Sequence, residues 1–535
     1  MQDQPAGASA SASAAPDGEP QGTVLGALAQ VAASDPGRIA YLDESGAVTY
    51  GGLFDAARRG AAWLARHGVR PGDTIALPLE QAPAHARRTM TFLYAAAYAG
   101  AVVLPLLPEA PLAARVELIG RFGAHWVLAS GVSPVAGAQA LDPRGFDPAD
   151  AALDAQAPAR ADRGDAPSVY LFTSGTTGAA KVLLLTHRQI FDKALAVARI
   201  VGTGATARIM GPAPWPSNVG MRYLQRAHAI GAACVNVPFA ETRGELAGQL
   251  ARFGTTLMYA SPWQMRRLMA SPAPSRPLPD FTLGLIGAMV SREELRAARA
   301  ALTSRLHVDY GCSETGPIAL LEADEPAGPG CVGRVLPGVE VRIEGPDGTP
   351  LPAGGVGDLG FRSPWMCSDY VGNPVATRRH FRGGWFFPGD AGYLDAGGRL
   401  YLQGRTQEVI NHGGLKIWPE DIEAVLRQHE DVLDAALAGI PDAAAGEVPV
   451  AFLAARAGVH GPLPPALGEA ALRAFCAARI DAARVPRHFV LVAQIPRNQT
   501  GKILRGALID AYEQARAAAR AGAAEARAPG AGTGR

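Results

Sequence analysis

The sequence contains few cysteines and no excess of charge of either sign. Its five cysteines are scattered over 535 residues, and no two of them have the C-x-x-C spacing of a zinc or redox site. This usage argues against a disulfide framework and is typical of a reduced, cytosolic protein. Lysine and arginine together number 50, against 49 aspartates and glutamates. The balance gives no electrostatic reason to expect nucleic acid or an anionic membrane as a partner.

The sequence also lacks a secretory signal and a long uninterrupted apolar run. Residues 1–22 have no apolar core, and their alanine, serine, glycine and proline content predicts a disordered arm. Residues 89–108 carry no charge, but one glycine and two prolines interrupt them. They instead predict a buried helix at 90–98 and a buried strand at 101–106. We therefore expect a cytoplasmic protein with no membrane span.

Hydrophobic periodicity predicts an α/β fold. From about residue 38 to 340, short apolar strands alternate with helical patterns, which indicates parallel sheets covered by helices. These strands are expected at 74–79, 125–128, 168–173, 233–237, 256–259 and 283–286.

The composition and the hydrophobic pattern of the sequence change twice after this region. Beyond Gly330, short segments rich in glycine, proline and aspartate predict a small antiparallel, barrel-like subdomain, with strands at 339–343 and 358–362. Beyond Gly404-Arg405, the pattern predicts a small mobile α+β domain. Its helices are expected at 420–427 and 472–483, and its strands at 435–439 and 450–454. We expect a disordered arm at 1–22, a large domain at 23–405, the small domain at 406–513 and a frayed or disordered tail at 514–535.

A loop at residues 173–181 is the first chemical signal. It reads TSGTTGAAK and follows an apolar strand. Its glycines permit close backbone approach, its hydroxyls and N–H groups can surround phosphate oxygens, and Lys181 adds a cation. The spacing differs from a Walker motif, because Ala180 precedes the lysine and Val182 follows it. The alternative is an ordinary polar turn before a helix that begins near Thr186.

The loop resembles the phosphate-binding motif of adenylate-forming enzymes, the superfamily of acyl-CoA synthetases, nonribosomal-peptide adenylation domains and luciferases. The resemblance extends from about Leu28 to Tyr512. Within the superfamily, the chain is most similar to acyl-CoA synthetases. The resemblance implies that ATP activates a carboxylic acid to an acyl-adenylate, whose acyl group then passes to a thiol. The further motifs are YGCSE at 310–314, Gly389-Asp390, Gly404-Arg405, Gly413-Gly414 and PRNQTGK at 496–502.

The resemblance implies a role for each matching residue. Lys502 would bridge the carboxylate and the α-phosphate, Glu314 would bind Mg²⁺, and Asp390 would accept bonds from the ribose hydroxyls. Thr173 joins Lys502 and Glu314 as a catalytic candidate. The expected ATP-binding residues are Thr173, Ser174, Gly175, Thr176, Thr177, Gly178, Lys181, Asp309, Tyr310, Gly311, Ser313, Glu314, Asp390, Arg405 and Lys502.

The same resemblance implies a moving small domain. Gln407 stands at the hinge, where aspartate or lysine is common, and the Gly413-Gly414 loop would help to build the tunnel for coenzyme A. Trp215 is the candidate gate between this tunnel and the acyl pocket, and packing in the core is the alternative for this residue.

The acyl pocket is expected around Trp215, Gly287, Ala288 and Ile318. These residues are small or apolar, and no lysine or arginine is evident to pair a second carboxylate. A fatty or aromatic monocarboxylic acid is therefore the expected substrate, together with ATP, Mg²⁺ and coenzyme A. One alternative is an adenylation enzyme that loads a separate acyl carrier protein. Another is a catalytically silent nucleotide-binding relative, which a pyrophosphate-release screen without turnover would favour.

Overall fold

The computed structural model describes most of the chain. Its helices and strands, given below in chain order, follow the predicted alternation. The described residues are 22–129, 137–173, 181–211, 213, 215–275, 277–322, 324–325, 328–442, 445–456, 465–498 and 502–525.

The amino-terminal part forms a mostly parallel sheet with the order β6-β5-β3-β4-β7-β8, in which β8 alone is known to run antiparallel to its neighbour. The predicted buried helix and strand are confirmed as α3 and β4. The elements are α1 (Val24–Ser34), β1 (Ile39–Asp43), β2 (Gly46–Thr49), α2 (Tyr50–Arg66), β3 (Thr74–Pro78), α3 (Pro83–Ala99), β4 (Val102–Leu106), α4 (Leu112–Arg121), β5 (Trp126–Leu128), β6 (Gln139–Leu141), β7 (Pro167–Thr173) and β8 (Lys181–Thr186).

The next part contributes the parallel core of a second, larger sheet. Strands β13, β12, β11, β9, β10 and β1 lie side by side and run parallel, as the sequence predicted. The elements are α5 (His187–Val201), β9 (Arg208–Met210), α6 (Asn218–Ala229), β10 (Ala233–Val235), α7 (Arg243–Phe253), β11 (Leu257–Ala260), α8 (Pro262–Ala270), β12 (Thr282–Ile286), α9 (Arg292–Ala301), β13 (Arg305–Cys312) and β14 (Gly316–Glu322).

The strands predicted beyond Gly330 are present and antiparallel. They hydrogen-bond to the large sheet through the β14–β15 pair and extend it, so the two regions share one ladder. The elements are β15 (Cys331–Val335), β16 (Glu340–Glu344), β17 (Gly357–Arg362), α10 (Pro374–His380), β18 (Phe381–Arg382), β19 (Trp385–Phe386), β20 (Asp390–Leu394) and β21 (Arg399–Arg405).

The carboxyl-terminal part has its own sheet, in the order β23-β22-β25-β24 with β26 beside β25. The helix predicted at 472–483 ends earlier, at Ala477, because Asp481 caps a separate 3₁₀ turn at Ala482–Arg484. The last helix continues to Glu525. The elements are β22 (Ile410–His412), β23 (Leu415–Ile417), α11 (Pro419–Leu426), β24 (Val432–Asp442), β25 (Gly446–Ala455), α12 (Glu469–Ala477), β26 (His488–Leu491) and α13 (Arg505–Glu525).

The uncharged stretch that resembled a membrane span is part of this fold. Helix α3 ends at Gly100, whose φ of 73° is a left-handed conformation that glycine adopts without strain. Among the described residues, no helix combines the length and the apolar composition needed to cross a bilayer. The arm predicted at 1–22, apart from Gly22, and residues 526–535 of the predicted tail lie outside the described residues.

Candidate active site

A cavity of about 850 Å³ opens where the two large sheets and the carboxyl-terminal part meet. It is lined by ends of strands, by helix α6 and by residues that follow β21. The cavity brings together many residues that are far apart in the sequence. The predicted site residues that line it are Thr173, Lys181, Gly287, Asp309, Tyr310, Gly311, Ser313, Glu314, Arg405, Gln407 and Lys502.

The phosphate-loop candidate spans two paired strands. Thr173 ends β7, Lys181 begins β8, and the two residues are partners in the antiparallel register. The Thr173 hydroxyl donates to the Lys181 carbonyl oxygen over 3.3 Å. The sequence predicted a phosphate-binding loop at 173–181 and a helix from near Thr186, and it did not predict strand β8 between them. The predicted residues between these strands, Ser174, Gly175, Thr176, Thr177 and Gly178, lie outside the described residues.

Lys181, at the start of β8, and Glu314, in the turn between β13 and β14, share one aromatic neighbour. Lys181 Nζ lies 5.2 Å from the centre of the Tyr370 ring, and the Tyr370 hydroxyl donates to Glu314 Oε1 over 2.6 Å. Burial lowers the pKa of the Lys181 amine, and the Glu314 carboxylate opposes this shift. Tyr370 was not predicted, because a single tyrosine outside the motifs carries no chemical signal.

Asp390 already has two partners in the protein. The Tyr310 hydroxyl donates to its Oδ2 over 2.6 Å, and Arg405 Nε lies 2.6 Å from its Oδ1. The resemblance implied that Asp390 binds the ribose hydroxyls and that Tyr310 is one of the ATP-binding residues, beside the base. A carboxylate has about four acceptor positions, so the observed contacts leave capacity for a ribose. The ribose and base contacts therefore stay predictions.

Lys502 reaches the cavity from beyond the small sheet. Its Nζ lies 3.5 Å from Glu408 Oε1, and its backbone N–H donates to Asn498 Oδ1 over 2.9 Å. Burial lowers the pKa of the Lys502 amine, with a further contribution from the neighbouring Arg405. Glu408 was missed by the sequence interpretation, although it directly follows the hinge candidate Gln407.

Comparison with known proteins decides the family. The model of the AMP-binding enzyme family matches residues 28–371, and that of the AMP-binding enzyme C-terminal domain matches residues 421–502. The chain belongs to the AMP-binding enzyme family. This confirms the resemblance found in the sequence.

Similar proteins point to one branch of this family. Sulfoacetate–CoA ligase from Cupriavidus necator is 31% identical over 67% of this chain and 69% of its own length. 2-Succinylbenzoate–CoA ligase from Geobacillus kaustophilus is 29% identical over 89% of this chain and 96% of its own length. The structure of o-succinylbenzoate CoA synthetase from Bacillus subtilis, solved with an acyl-adenylate, has a TM-score of 0.76 to this structure. The two proteins are 26% identical, and the match covers 90% of this chain and 97% of the other. This AMP-binding enzyme is an acid–thiol ligase of the acyl-CoA synthetase type.

Several predicted residues of this AMP-binding enzyme are not part of the cavity lining. Trp215 is 4% exposed and packs edge-on against Tyr41, with ring centres 6.1 Å apart. Ile318 is fully buried in the core, and Ala288 is exposed. Their gating and acyl-pocket roles stay predictions. Gly413 and Gly414 lie in an exposed turn between β22 and β23.

No lysine or arginine was expected around the acyl pocket, but two arginines that follow Trp215 along the chain line this cavity. Arg222 and Arg226 line the cavity, together with Tyr223, Tyr259 and Asp309. The two arginines are four residues apart on α6, so they lie on one face of the helix. The spacing was visible in the sequence, but the direction of that face depends on how α6 packs.

Proposed function

We propose that this enzyme joins a carboxylic acid to the AMP moiety of ATP, releases pyrophosphate, and transfers the acyl group to the thiol of coenzyme A. Family membership and the CoA ligases among its relatives support this reaction. The observation that carries the proposal is that Lys502 lies in one cavity with Lys181, Arg405 and Glu314. These residues supply the charges that the first step requires.

Adenylation brings two anions together. A carboxylate oxygen attacks the α-phosphorus of ATP, a new C–O–P linkage forms, and the bond to pyrophosphate breaks. Catalysis then consists mainly of neutralising and aligning charge. Lys502 would lie between the carboxylate and the α-phosphate, and Lys181 with Thr173 would hold the leaving pyrophosphate. Arg405 and Asp390 would hold the ribose.

Glu314 would hold Mg²⁺ beside the phosphates. It is 7% exposed, lines the cavity, and has one oxygen bound by Tyr370. Within the described part of the chain, no group of three or more histidine, cysteine, aspartate or glutamate side chains could hold a metal by itself. This donor set fits Mg²⁺, which takes few carboxylates and completes its shell with phosphate oxygens and water. When bound, the ion would neutralise phosphate charge.

The thiol step would require the small domain to move about Gln407. The described arrangement has Lys502 inside the cavity and the Gly413-Gly414 turn exposed on the surface. Lys502 and this turn belong to the same small domain, so a rotation that brings the turn towards the cavity would withdraw the lysine. Coenzyme A would then approach the acyl-adenylate, its thiolate would attack the acyl carbon, and AMP would leave.

The lining of the cavity supports an acid with an apolar body. Val219, Ile286, Tyr223 and Tyr259 line it near α6 and the ends of β11 and β12. These side chains suit the aliphatic or aromatic portion that the sequence predicted. An apolar portion of the acid gives no reason for the adjacent Arg222 and Arg226 in the lining.

The test is acid-dependent pyrophosphate release from ATP, measured with a panel of carboxylic acids and with or without coenzyme A. We expect pyrophosphate to form with some acids alone, and acyl-CoA to form when the thiol is added. Acyl transfer to a purified carrier protein without transfer to coenzyme A would instead support the carrier-loading alternative. ATP binding without turnover of any acid would contradict the proposal and favour a silent relative.

A further inference from the structure

Two arginines that line the cavity, Arg222 and Arg226, form no ion pair with any described residue. Arg226 is 4% exposed, and its Nε and Nη1 make no hydrogen bond within the described part of the chain. Arg222 is partly buried, and it makes no hydrogen bond or ion pair with any described residue. A buried guanidinium without a paired anion is unfavourable, and the neighbouring Arg222 adds charge repulsion. Such an arrangement indicates a binding site for an anion.

The neighbouring side chains do not supply that anion. Asp309 is the nearby acid, but its Oδ1 lies 3.3 Å from His307 Nε2, and it forms no ion pair with either arginine. The Tyr259 ring lies 4.8 Å from Arg226 Cζ. This contact covers the face of the guanidinium and leaves its in-plane N–H donors unused.

Tyr259 adds another donor to the same place. Its buried hydroxyl lies beside Arg226, donates to no described residue, and lines the cavity with the arginines. Burial raises the pKa of this hydroxyl, so it stays protonated and able to donate. Two planar guanidinium groups and one hydroxyl form a donor set suited to a carboxylate or sulfonate.

The phosphates of ATP have other cations available. The charges that act on Lys181 are those of Glu314, Arg379 and Arg405. Burial lowers the pKa of Arg222. The next largest effects on this pKa come from Arg226, which lowers it further, and from Tyr223 and Asp309, which raise it. The two arginines are therefore not among the charges that act on Lys181, the cation assigned to the phosphates.

We propose that the acid activated by this enzyme carries a second oxyanionic group, a carboxylate or a sulfonate, which Arg222, Arg226 and Tyr259 bind while the first carboxylate is adenylated. The inference rests on the proposed function and names its substrate class. It replaces the monocarboxylate expected from the sequence, because that expectation assumed a pocket without cations. The two arginines are binding residues that select the acid.

The experiment compares matched acids in the pyrophosphate-release assay. Each pair consists of a diacid and its monoamide, which keeps one carboxylate but replaces the second by an uncharged amide, such as succinate with succinamate and terephthalate with terephthalamate. 3-Sulfopropanoate distinguishes a sulfonate from a carboxylate. With the unmodified enzyme, we expect kcat/KM for the preferred dianion to exceed that of its monoamide by roughly 100-fold or more, because the amide leaves buried charges unpaired.

The variant Arg226→Met removes one guanidinium and keeps a side chain of similar length. We expect the ratio between dianion and monoamide to fall to within a few-fold, whereas Arg226→Lys retains part of it. Arg199→Met, on the exposed side of α5, is the matched control and should leave the ratio unchanged. Preference for a monoanionic acid in the unmodified enzyme, or an unchanged ratio in folded Arg226→Met, would overturn the inference.

A separate measurement distinguishes failure of the inference from failure of the proposed function. If no acid gives pyrophosphate, the proposed function fails, and calorimetric binding of the same dianions without ATP decides the anion site. Binding that weakens at least tenfold in Arg226→Met supports the site. Equal or absent binding of the dianions in both proteins contradicts it.

Discussion

Lys181 Nζ lies 2.8 Å from Nε2 of His380, and the other ring nitrogen of His380 lies 2.7 Å from the carbonyl oxygen of Phe387. A carbonyl only accepts, so Nδ1 of this imidazole carries the proton and Nε2 accepts from the lysine. Burial lowers the pKa of His380, and the Lys181 charge adds to this effect. A neutral histidine therefore orients the cation at the edge of the phosphate-loop candidate.

This contact predicts a loss of ATP affinity in His380→Phe. The variant keeps an aromatic ring but removes the acceptor, so Lys181 loses a charge-assisted bond and the KM for ATP should rise about tenfold. His380→Gln offers an amide oxygen and should restore most of the affinity. The KM values for ATP and for the acid, measured separately in the pyrophosphate assay, check this. A rise confined to the KM for the acid would contradict the role.

Lys502→Ala should separate the two half-reactions. Removing the cation that neutralises the attacking carboxylate and α-phosphate should slow adenylation about 10²- to 10³-fold. Thioester formation from preformed acyl-adenylate should change little, because pyrophosphate has already left. Lys416→Ala, at an exposed position of the same domain, is the control for the adenylation step. Equal losses in both half-reactions would refute the assignment of Lys502.

Gly414→Val should affect the opposite half-reaction. Gly414 has a φ of 90°, and no atom lies within 4 Å of an added Cβ, so only backbone strain opposes the change in this arrangement. That strain should move the turn and slow thioester formation roughly tenfold while adenylation persists. Gly348→Val is the matched control, with a φ of 78° and similarly open surroundings. An unchanged rate of acyl-CoA formation from acyl-adenylate would exclude the turn from the thiol step.

Glu314→Gln tests the proposed metal ligand. The amide keeps an acceptor for Tyr370 but loses the charge, so the Mg²⁺ concentration for half-maximal pyrophosphate release should rise roughly tenfold or more. Titration of Mg²⁺ at saturating ATP measures this. The exposed Glu322→Gln provides the same change of charge at the far end of β14. An unaltered Mg²⁺ requirement would assign Glu314 to packing against Tyr370.

Glu420 makes the stability of the protein depend on pH. Burial, with repulsion from Glu423, raises its pKa from 4.5 to about 7. Between these values the folded chain holds a proton that the unfolded chain releases, so the free energy of unfolding falls as pH rises through the window. Glu420→Gln removes the cost of ionising a buried carboxyl above pH 7. Its Tm relative to the unmodified enzyme should therefore increase by about 2–4 °C from pH 5 to pH 8.5.

The control for this prediction is Glu430→Gln, which makes the same charge change at an exposed position of the small domain. Differential scanning calorimetry at both pH values provides the measurement. An equal pH dependence in both variants would attribute the effect to net charge, and a constant difference for Glu420→Gln would exclude a buried, protonated carboxyl.

The predicted elements differ from the observed ones where local pattern and packing disagree. The parallel strands and the buried helix at α3 were predicted, because continuous apolar runs and helical periodicity depend on local sequence. Strand β8 was not predicted, because its apolar residues 182–185 are few and stand directly between the polar loop and a helix. The helix predicted at 472–483 was too long. The Asp481 side chain accepts from the Ala483 N–H and begins a separate 3₁₀ turn, and the apolar pattern does not show this break.

The sequence by itself determined the family, the order of the motifs and the residues proposed to bind ATP, because these depend on the identity and spacing of neighbouring residues. Only the tertiary structure decided that His380 meets Lys181 across 199 positions, and that Arg222 and Arg226 lie against the cavity. An arginine on a helix is ordinarily expected to face solvent. The packing of α6 decides which face is turned inward, and that choice changed the expected substrate from a monoanion to an acid with two charges.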